Sequence, residues 1–142
     1  MLAILSIETE LEDRMSGHQA SLSAEHLDFF ERFKSFWSAP SGPRVAELIA
    51  PDAVIHFSGQ GTFSGAEYID VMAGLLASMD GLKVEPVDCA GNGDILYIHW
   101  RTTVTIDGET IEYPGVDRFR LVDGMAVEEY ILYDSAVLQP NA

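Results

Sequence analysis

Apolar and polar residues alternate from Asp94 to Asp134 in three runs, separated by Asp107-Gly108 and by Val122-Asp123-Gly124. A period of two marks strands covered on one face, and both junctions carry turn chemistry, so the segment predicts an antiparallel meander. A type I turn at the second junction, with Gly124 in the left-handed conformation, sets Leu121 opposite Met125. Counting back then pairs Phe119 with Val127, Asp117 with Glu129, Gly115 with Ile131 and Tyr113 with Tyr133, and sets Arg118 against Glu128 on the other face. A two-residue turn would instead bring Arg118 to Glu129 and separate the two acids.

Upstream, Leu27, Phe30, Phe33, Phe36 and Trp37 recur at three- and four-residue intervals, which predicts an amphipathic helix over Ala24 to Ser38 with Ser23 as its N-cap. Pro40, Gly42 and Pro43 stop it, and a short second helix is expected from Arg44 to Ile49, ending at Pro51. Asp52 to Ser58 reads as a strand and Gly59 to Gly65 as a loop. Ser64 and Glu67 form a capping box opening a helix whose stripe is Tyr68, Met72, Leu75, Leu76 and Met79, closed by Asp80-Gly81. Leu82 to Cys89 reads as a strand that Pro86 confines to an edge or bulge. Helices thus segregate to one face of a curved antiparallel sheet, an α+β arrangement that encloses a cavity walled by the aromatic face of the first helix.

The chain has 142 residues, 23 of them acidic and 8 basic, for a formal net charge of −15. Such a surface repels phosphate backbones and anionic headgroups, so neither nucleic acid nor a membrane is an expected partner. The lone Cys89 excludes an intramolecular disulfide and suits the cytoplasm as a small buried hydrophobe. His18, His26, His56 and His99 lack zinc-ligand spacing, and no metal is expected. Ser58, Gly59 and Gly61 precede no Walker-type lysine. The apolar run Met1 to Ile7 is too short and too closely followed by acids to be a secretory leader. Residues 1–23 read as an N-terminal extension, of which 1–14 are expected to be flexible or packed on a neighbouring subunit, and 24–142 as one domain.

The order of elements, with Pro51-Asp52-Ala53-Val54-Ile55-His56, Phe63-Ser64-Gly65-Ala66-Glu67-Tyr68-Ile69 and Phe119-Arg120-Leu121-Val122-Asp123-Gly124-Met125-Ala126-Val127, resembles the NTF2-like superfamily. Within it the chain is most similar to the SnoaL-like group, which includes polyketide cyclases and relatives of limonene-epoxide hydrolases and ketosteroid isomerases. The likeness spans about residues 24 to 138. It implies a conical α+β barrel, a curved sheet wrapped over a long N-terminal helix with a deep apolar pocket, and commonly a homodimer joined through the outer sheet face. Aligned on the isomerases, Phe57 stands where a general-base aspartate is expected and Phe33 where a helix tyrosine holds the oxyanion. Asp117 falls on the aspartic acid kept protonated as second donor. Ile131 takes the place of an acidic residue on the last strand of cyclases and epoxide hydrolases, and Trp100 and Thr102 those of an Arg and an Asp.

Asp117 and Glu129 are the candidate catalytic pair. Side by side in an apolar pocket, two carboxylates cannot both ionise cheaply, and one should hold its proton near neutrality. Asp117 would then donate to a carbonyl or epoxide oxygen while Glu129 accepts a proton from carbon or water. Two exposed acids on a very acidic protein are the plainer alternative. Tyr113, Tyr133, Trp100, Phe57, Ile131, Phe33, Trp37 and Met72 are expected to line the pocket, with either tyrosine a ligand donor or simple packing. Alternation puts His99 and Arg101 on the outer face and His56 outside the cavity, and makes Asp134 a turn or cap group. The expected function is cofactor-independent isomerase, cyclase or hydrolase chemistry on a neutral hydrophobic small molecule. A noncatalytic ligand-binding or dimeric interaction module is the alternative, favoured by Phe57 and Ile131 at the usual acid positions.

Overall fold

The computed structural model describes residues 22–138. The expected N-terminal extension, apart from Leu22 and Ser23, lies outside them. Helix α1 (Ala24–Ser38) is followed by a 3-10 turn (Pro43–Glu47), strands β1 (Ile49–Phe57) and β2 (Gly61–Ser64), helix α2 (Gly65–Ser78), strands β3 (Asp80–Asn92), β4 (Ile95–Ile106), β5 (Glu109–Val122) and β6 (Met125–Leu132), and a final 3-10 turn (Ser135–Leu138). One six-stranded sheet runs in the order β2-β1-β6-β5-β4-β3. All pairs are antiparallel except β1 with β6. The sheet curves without closing, and both helices lie against its concave face.

Helix α1 has the predicted bounds, but its phase differs. His26 closes a reciprocal cap with Ser23, each backbone N–H meeting the other's side chain at 3.1 Å. This turns His26, Phe29, Phe33 and Phe36 inward, while Leu27 is 49% exposed and Phe30 only half-buried. Phe29 and Phe33 meet Phe119 of β5 with ring centroids 4.8 and 5.8 Å apart. Burying each such ring contributes about 1.5–3 kcal/mol, which is what holds α1 to the sheet. Arg44 hydrogen-bonds the carbonyls of Ser35 and Ala39, satisfying groups that the end of α1 leaves open.

The segment read as a second helix is a 3-10 turn ending at Glu47, because β1 already begins at Ile49 and takes Pro51 into the strand. The stretch read as a loop contains β2, which pairs Gly61 to Ser64 with Phe57 to Val54. The capping box of α2 is as expected, with Ser64 and Glu67 exchanging bonds of 2.9 and 3.1 Å. Strand β3 is an edge strand bulged between Pro86 and Asp88, the setting in which a strand tolerates proline.

The hairpin that decides the site departs from expectation twice. Asp123 (φ 51°) and Gly124 (φ 78°) make a two-residue turn, so Val122 faces Met125 and Leu121 faces Ala126. Positive φ at both central positions is the geometry that Asp-Gly adopts most readily. Val127 then bulges out, and the ladder resumes with Arg120 facing Glu128, Phe119 facing Glu129 and Asp117 facing Ile131. The turn shifts the register by one residue and the bulge by one more. A shift of two preserves the face, so Asp117 and Glu129 still point to the same side, as diagonal rather than direct neighbours. The expected pairings of Leu121 with Met125, Phe119 with Val127, Asp117 with Glu129, Gly115 with Ile131 and Tyr113 with Tyr133 are therefore corrected. Arg118 meets Glu128 at 3.0 Å on the outer face, but diagonally.

Candidate functional site

Alternation along β4, β5 and β6 delivers Trp100, Tyr113, Asp117 and Ile131 to the concave face, where they enclose a cavity of about 620 Å³ including its open mouth. Phe33 and Trp37 of α1, Tyr68 and Met72 of α2, and Phe57 of β1 complete the walls, with Gln60 and Tyr133 at the β1–β2 turn and the end of β6. A smaller adjoining hollow shares Phe33, Trp37, Tyr68, Met72 and Asp117 and adds Glu129. Every pocket residue expected from the sequence thus lines the main cavity. Of the two acids, Asp117 faces it and Glu129 stands one layer behind.

Both acids are flanked by apolar neighbours on each side. Glu129 sits between Ile55 of β1 and Phe119 of β5, and Asp117 between Ile98 of β4 and Ile131 of β6. They are 3% and 5% exposed, which rules out two solvated surface acids. The two carboxyl groups are within hydrogen-bonding reach of each other. Burial pushes Asp117 up to about 6, partly offset by hydrogen bonds from Glu129 and from the indole of Trp100, whose Nε1 donates to Oδ1 at 3.1 Å. Burial and the charge of Asp117 push Glu129 well above the ordinary carboxylate range. Glu129 Oε1 has no hydrogen-bond partner, so an ionised Glu129 would leave charge on an oxygen that nothing solvates. The pair therefore titrates as a unit in which Asp117 is the more readily ionised member and Glu129 holds the proton.

Trp100 reaches Asp117 because its cross-strand partner is Gly115. A Cβ there would lie 2.1 Å from the indole Cη2. A glycine inside a strand signals such a close approach. The indole also meets Tyr113 and Tyr133 at 6.2 and 6.3 Å, and the two phenol rings lie 5.6 Å apart although Tyr133, just past the end of β6, is not the strand partner of Tyr113 that the sequence pairing expects. Burial pushes Tyr113 up to about 12, so it stays a donor at ordinary pH.

In the sequence Tyr68 belongs to an apolar helical stripe. It is 6% exposed, opens on both hollows, and its ring stands edge-on to Phe57 at 6.1 Å. Burial and the charges of Glu129 and Asp117 raise its hydroxyl well above the ordinary phenol value. The one available signal was a hydroxyl within an otherwise apolar stripe.

His56 and His99 stay outside the cavity, as alternation predicts. His56 stacks on Tyr130 at 4.3 Å, and His99 Nδ1 lies 3.2 Å from Asp88 Oδ1. Asp134 accepts from the backbone N–H of Ala136 and caps the last turn. Cys89 is buried. Among the described residues no three His, Cys, Asp or Glu side chains converge to hold a metal, and no helix is long and apolar enough to cross a membrane.

Solved structures share this fold at low identity. A putative polyketide cyclase from Streptomyces antibioticus, IdmH, matches with a TM-score of 0.68 and 20% identity over 79% of this chain and 94% of its own. An NTF2-like protein of unknown function from Burkholderia pseudomallei gives 0.72 and 16% over 82% and 95%. An LEH-like epoxide hydrolase from M. tuberculosis gives 0.66 and 14% over 80% and 86%. No curated protein matches significantly. The model of the SnoaL-like domain matches residues 28–129, across both helices, the cavity and the carboxyl pair, and the chain belongs to that family.

Proposed function

We propose that the chain is a cofactor-independent acid/base enzyme of isomerase, cyclase or hydrolase type, acting on a neutral hydrophobic small molecule that carries a carbonyl, enol or epoxide oxygen. The observation that carries this reading is the buried carboxyl pair, with Asp117 facing an aromatic cavity and raised to about 6. A base poised near working pH combines a useful ionised fraction with real proton affinity. The roles expected from the sequence exchange in this reading. Asp117 takes a proton from carbon or water and later returns it to substrate, while Glu129 behind it keeps its own proton and hydrogen-bonds the Asp117 carboxylate. Trp100 is a positioning residue that fixes one Asp117 oxygen and leaves the other for substrate. The apolar walls favour an uncharged ligand, and the net charge of −15 disfavours an anionic one. The cyclase and hydrolase among the solved relatives support a reaction of this class.

A second reading, a noncatalytic pocket protein, is favoured by Phe57 and Ile131, apolar groups that line the cavity at positions aligned with acids in related enzymes. Titration of an apolar ketone, read through the fluorescence of Trp37 and Trp100, separates the two. The acid/base reading predicts affinity that changes with one ionisation near pH 6 and becomes flat in Asp117→Asn. Affinity that is flat in both proteins leaves the noncatalytic reading.

We also propose a homodimer through the outer sheet face, where Val54, Tyr97 and Leu132 are 44%, 43% and 45% exposed beside the stacked His56 and Tyr130. Sedimentation at micromolar concentration should give twice the chain mass, and a monomer would refute it. The lone cysteine supports a cytoplasmic setting.

A further inference from the structure

The smaller hollow, about 310 Å³ including its mouth, lies against the main cavity, and Phe33, Trp37, Tyr68, Met72 and Asp117 border both spaces. A ligand seated in the cavity therefore stands at a collar with room beyond it. Past that collar the walls are Val45, Leu48, Ile49 and Phe119, all buried and apolar, together with one carboxyl group, that of Glu129. Glu129 is 3% exposed, and among the described residues no N–H or O–H donates to its Oε1. A buried oxygen has given up its water and calls for a donor in exchange. Either protonation state leaves that demand open, because a carboxyl sharing its own hydrogen with Asp117 still accepts, and a carboxylate accepts on both oxygens.

We propose that the smaller hollow is a subsite for a short alcohol branch of the ligand, whose hydroxyl donates to Glu129 while its carbon packs against Val45, Leu48, Ile49 and Phe119. This deepens the proposed function and rests on it for the cavity's taking a neutral hydrophobic molecule, but not on proton transfer at Asp117. The ligand class narrows to one with its reacting oxygen at Asp117 and a hydroxyl-tipped arm one layer further in. An apolar tip of the same size would leave the Glu129 oxygen buried without a donor, and an acidic tip would meet the carboxyl pair as a like charge.

Three ligands test the subsite by calorimetry on the full chain at neutral pH: 2-naphthalenemethanol, its near-isostere 2-ethylnaphthalene, and unbranched naphthalene. The wild type should bind the alcohol about tenfold more tightly than the ethyl compound, the size of one net hydrogen bond. Glu129→Gln should keep that preference, since its amide donates to Asp117 and its carbonyl still faces the hollow, whereas Glu129→Met should abolish it. Val45→Leu adds bulk to the hollow from a residue that does not line the main cavity, and should weaken both branched compounds while sparing naphthalene. Equal affinity of the wild type for alcohol and ethyl compound would mean that water alone serves Glu129, and overturns the proposal. A preference that survives Glu129→Met, or no binding of any compound, overturns it as well. If Glu129→Met fails to fold by circular dichroism, Val45→Leu decides, and branched compounds weakened no more than naphthalene contradict the subsite. An alcohol preference that persists while ketone affinity stays flat with pH would sink the acid/base reading and leave the subsite standing; the reverse pair of results would sink the subsite alone.

Discussion

The indole N–H of Trp100 ends 3.1 Å from Oδ1 of Asp117, a buried bond between adjacent strands. It favours the ionised form of a carboxylate that burial otherwise drives toward neutrality. Trp100→Phe keeps an aromatic wall and removes the donor. The apparent ionisation near pH 6 should move upward by about one unit, the worth of one charge-assisted hydrogen bond, as read from the pH dependence of ligand affinity.

Gly115 makes that bond possible. Gly115→Ala would place a methyl 2.1 Å from the indole, against a neighbour that is itself buried at 6% exposure. We expect a loss of about 1–3 kcal/mol from overpacking, with the tryptophan emission shifting as the ring is displaced. Denaturant melts followed by fluorescence measure both. A melt unchanged from wild type would mean that the indole does not lie against β5.

Stability should fall as pH rises across the range where the pair ionises. Unfolded carboxyls lose their protons near pH 4. Folded Asp117 holds its proton to about 6, and Glu129 holds its own higher still. Between those limits the folded state binds more protons than the unfolded state, so each step up in pH weakens it. A rise from 3.8 to about 6 corresponds to about 3 kcal/mol for Asp117. Net charge of −15 adds repulsion in the same direction, so the mutants are decisive. Glu129→Gln and Asp117→Asn should each gain stability at pH 8 relative to pH 5 in urea melts, whereas parallel profiles would assign the whole slope to surface charge.

The tip of the β5–β6 hairpin is tied to α1. Glu25 Oε1 accepts from the backbone N–H of Gly124 at 3.0 Å, and Arg32 donates to the carbonyls of Gly124 and Glu47. Arg32→Ala should cost about 1–2 kcal/mol, reduced from the value of a buried pair because Arg32 is partly exposed. Amide exchange should quicken first at Gly124 and its neighbours. Unchanged exchange there would mean that the turn is held by its own geometry.

Much of the fold was legible because it follows from period and capping. Ser23, Ser64 with Glu67, and the alternation through β4 to β6 place both helices, the meander and the cavity-facing residues. Pro86 correctly marks an edge strand with a bulge. The hairpin register was half legible, since Asp123-Gly124 signals the two-residue turn while the bulge at Val127 leaves no mark in the apolar pattern. The pair of acids came out on one face because two single-residue shifts cancel in parity. The inward turn of His26 escaped a reading by hydropathy, because its ring nitrogen serves the cap of its own helix while its body packs inside. Tyr68 escaped for the converse reason, its ring fitting an apolar stripe whose hydroxyl acquires meaning only beside β5 and β6. Which acid holds the proton depends on Ile55, Ile98, Phe119 and Trp100, brought together from three strands.

The most direct test follows the carboxyl carbons of Asp117 and Glu129 by carbon NMR across pH, with Asp117→Asn and Glu129→Gln to assign them. The account predicts coupled titration, Asp117 ionising near pH 6 and Glu129 still protonated above it. Two independent carboxyls, each ionising at an ordinary value near pH 4, would contradict it.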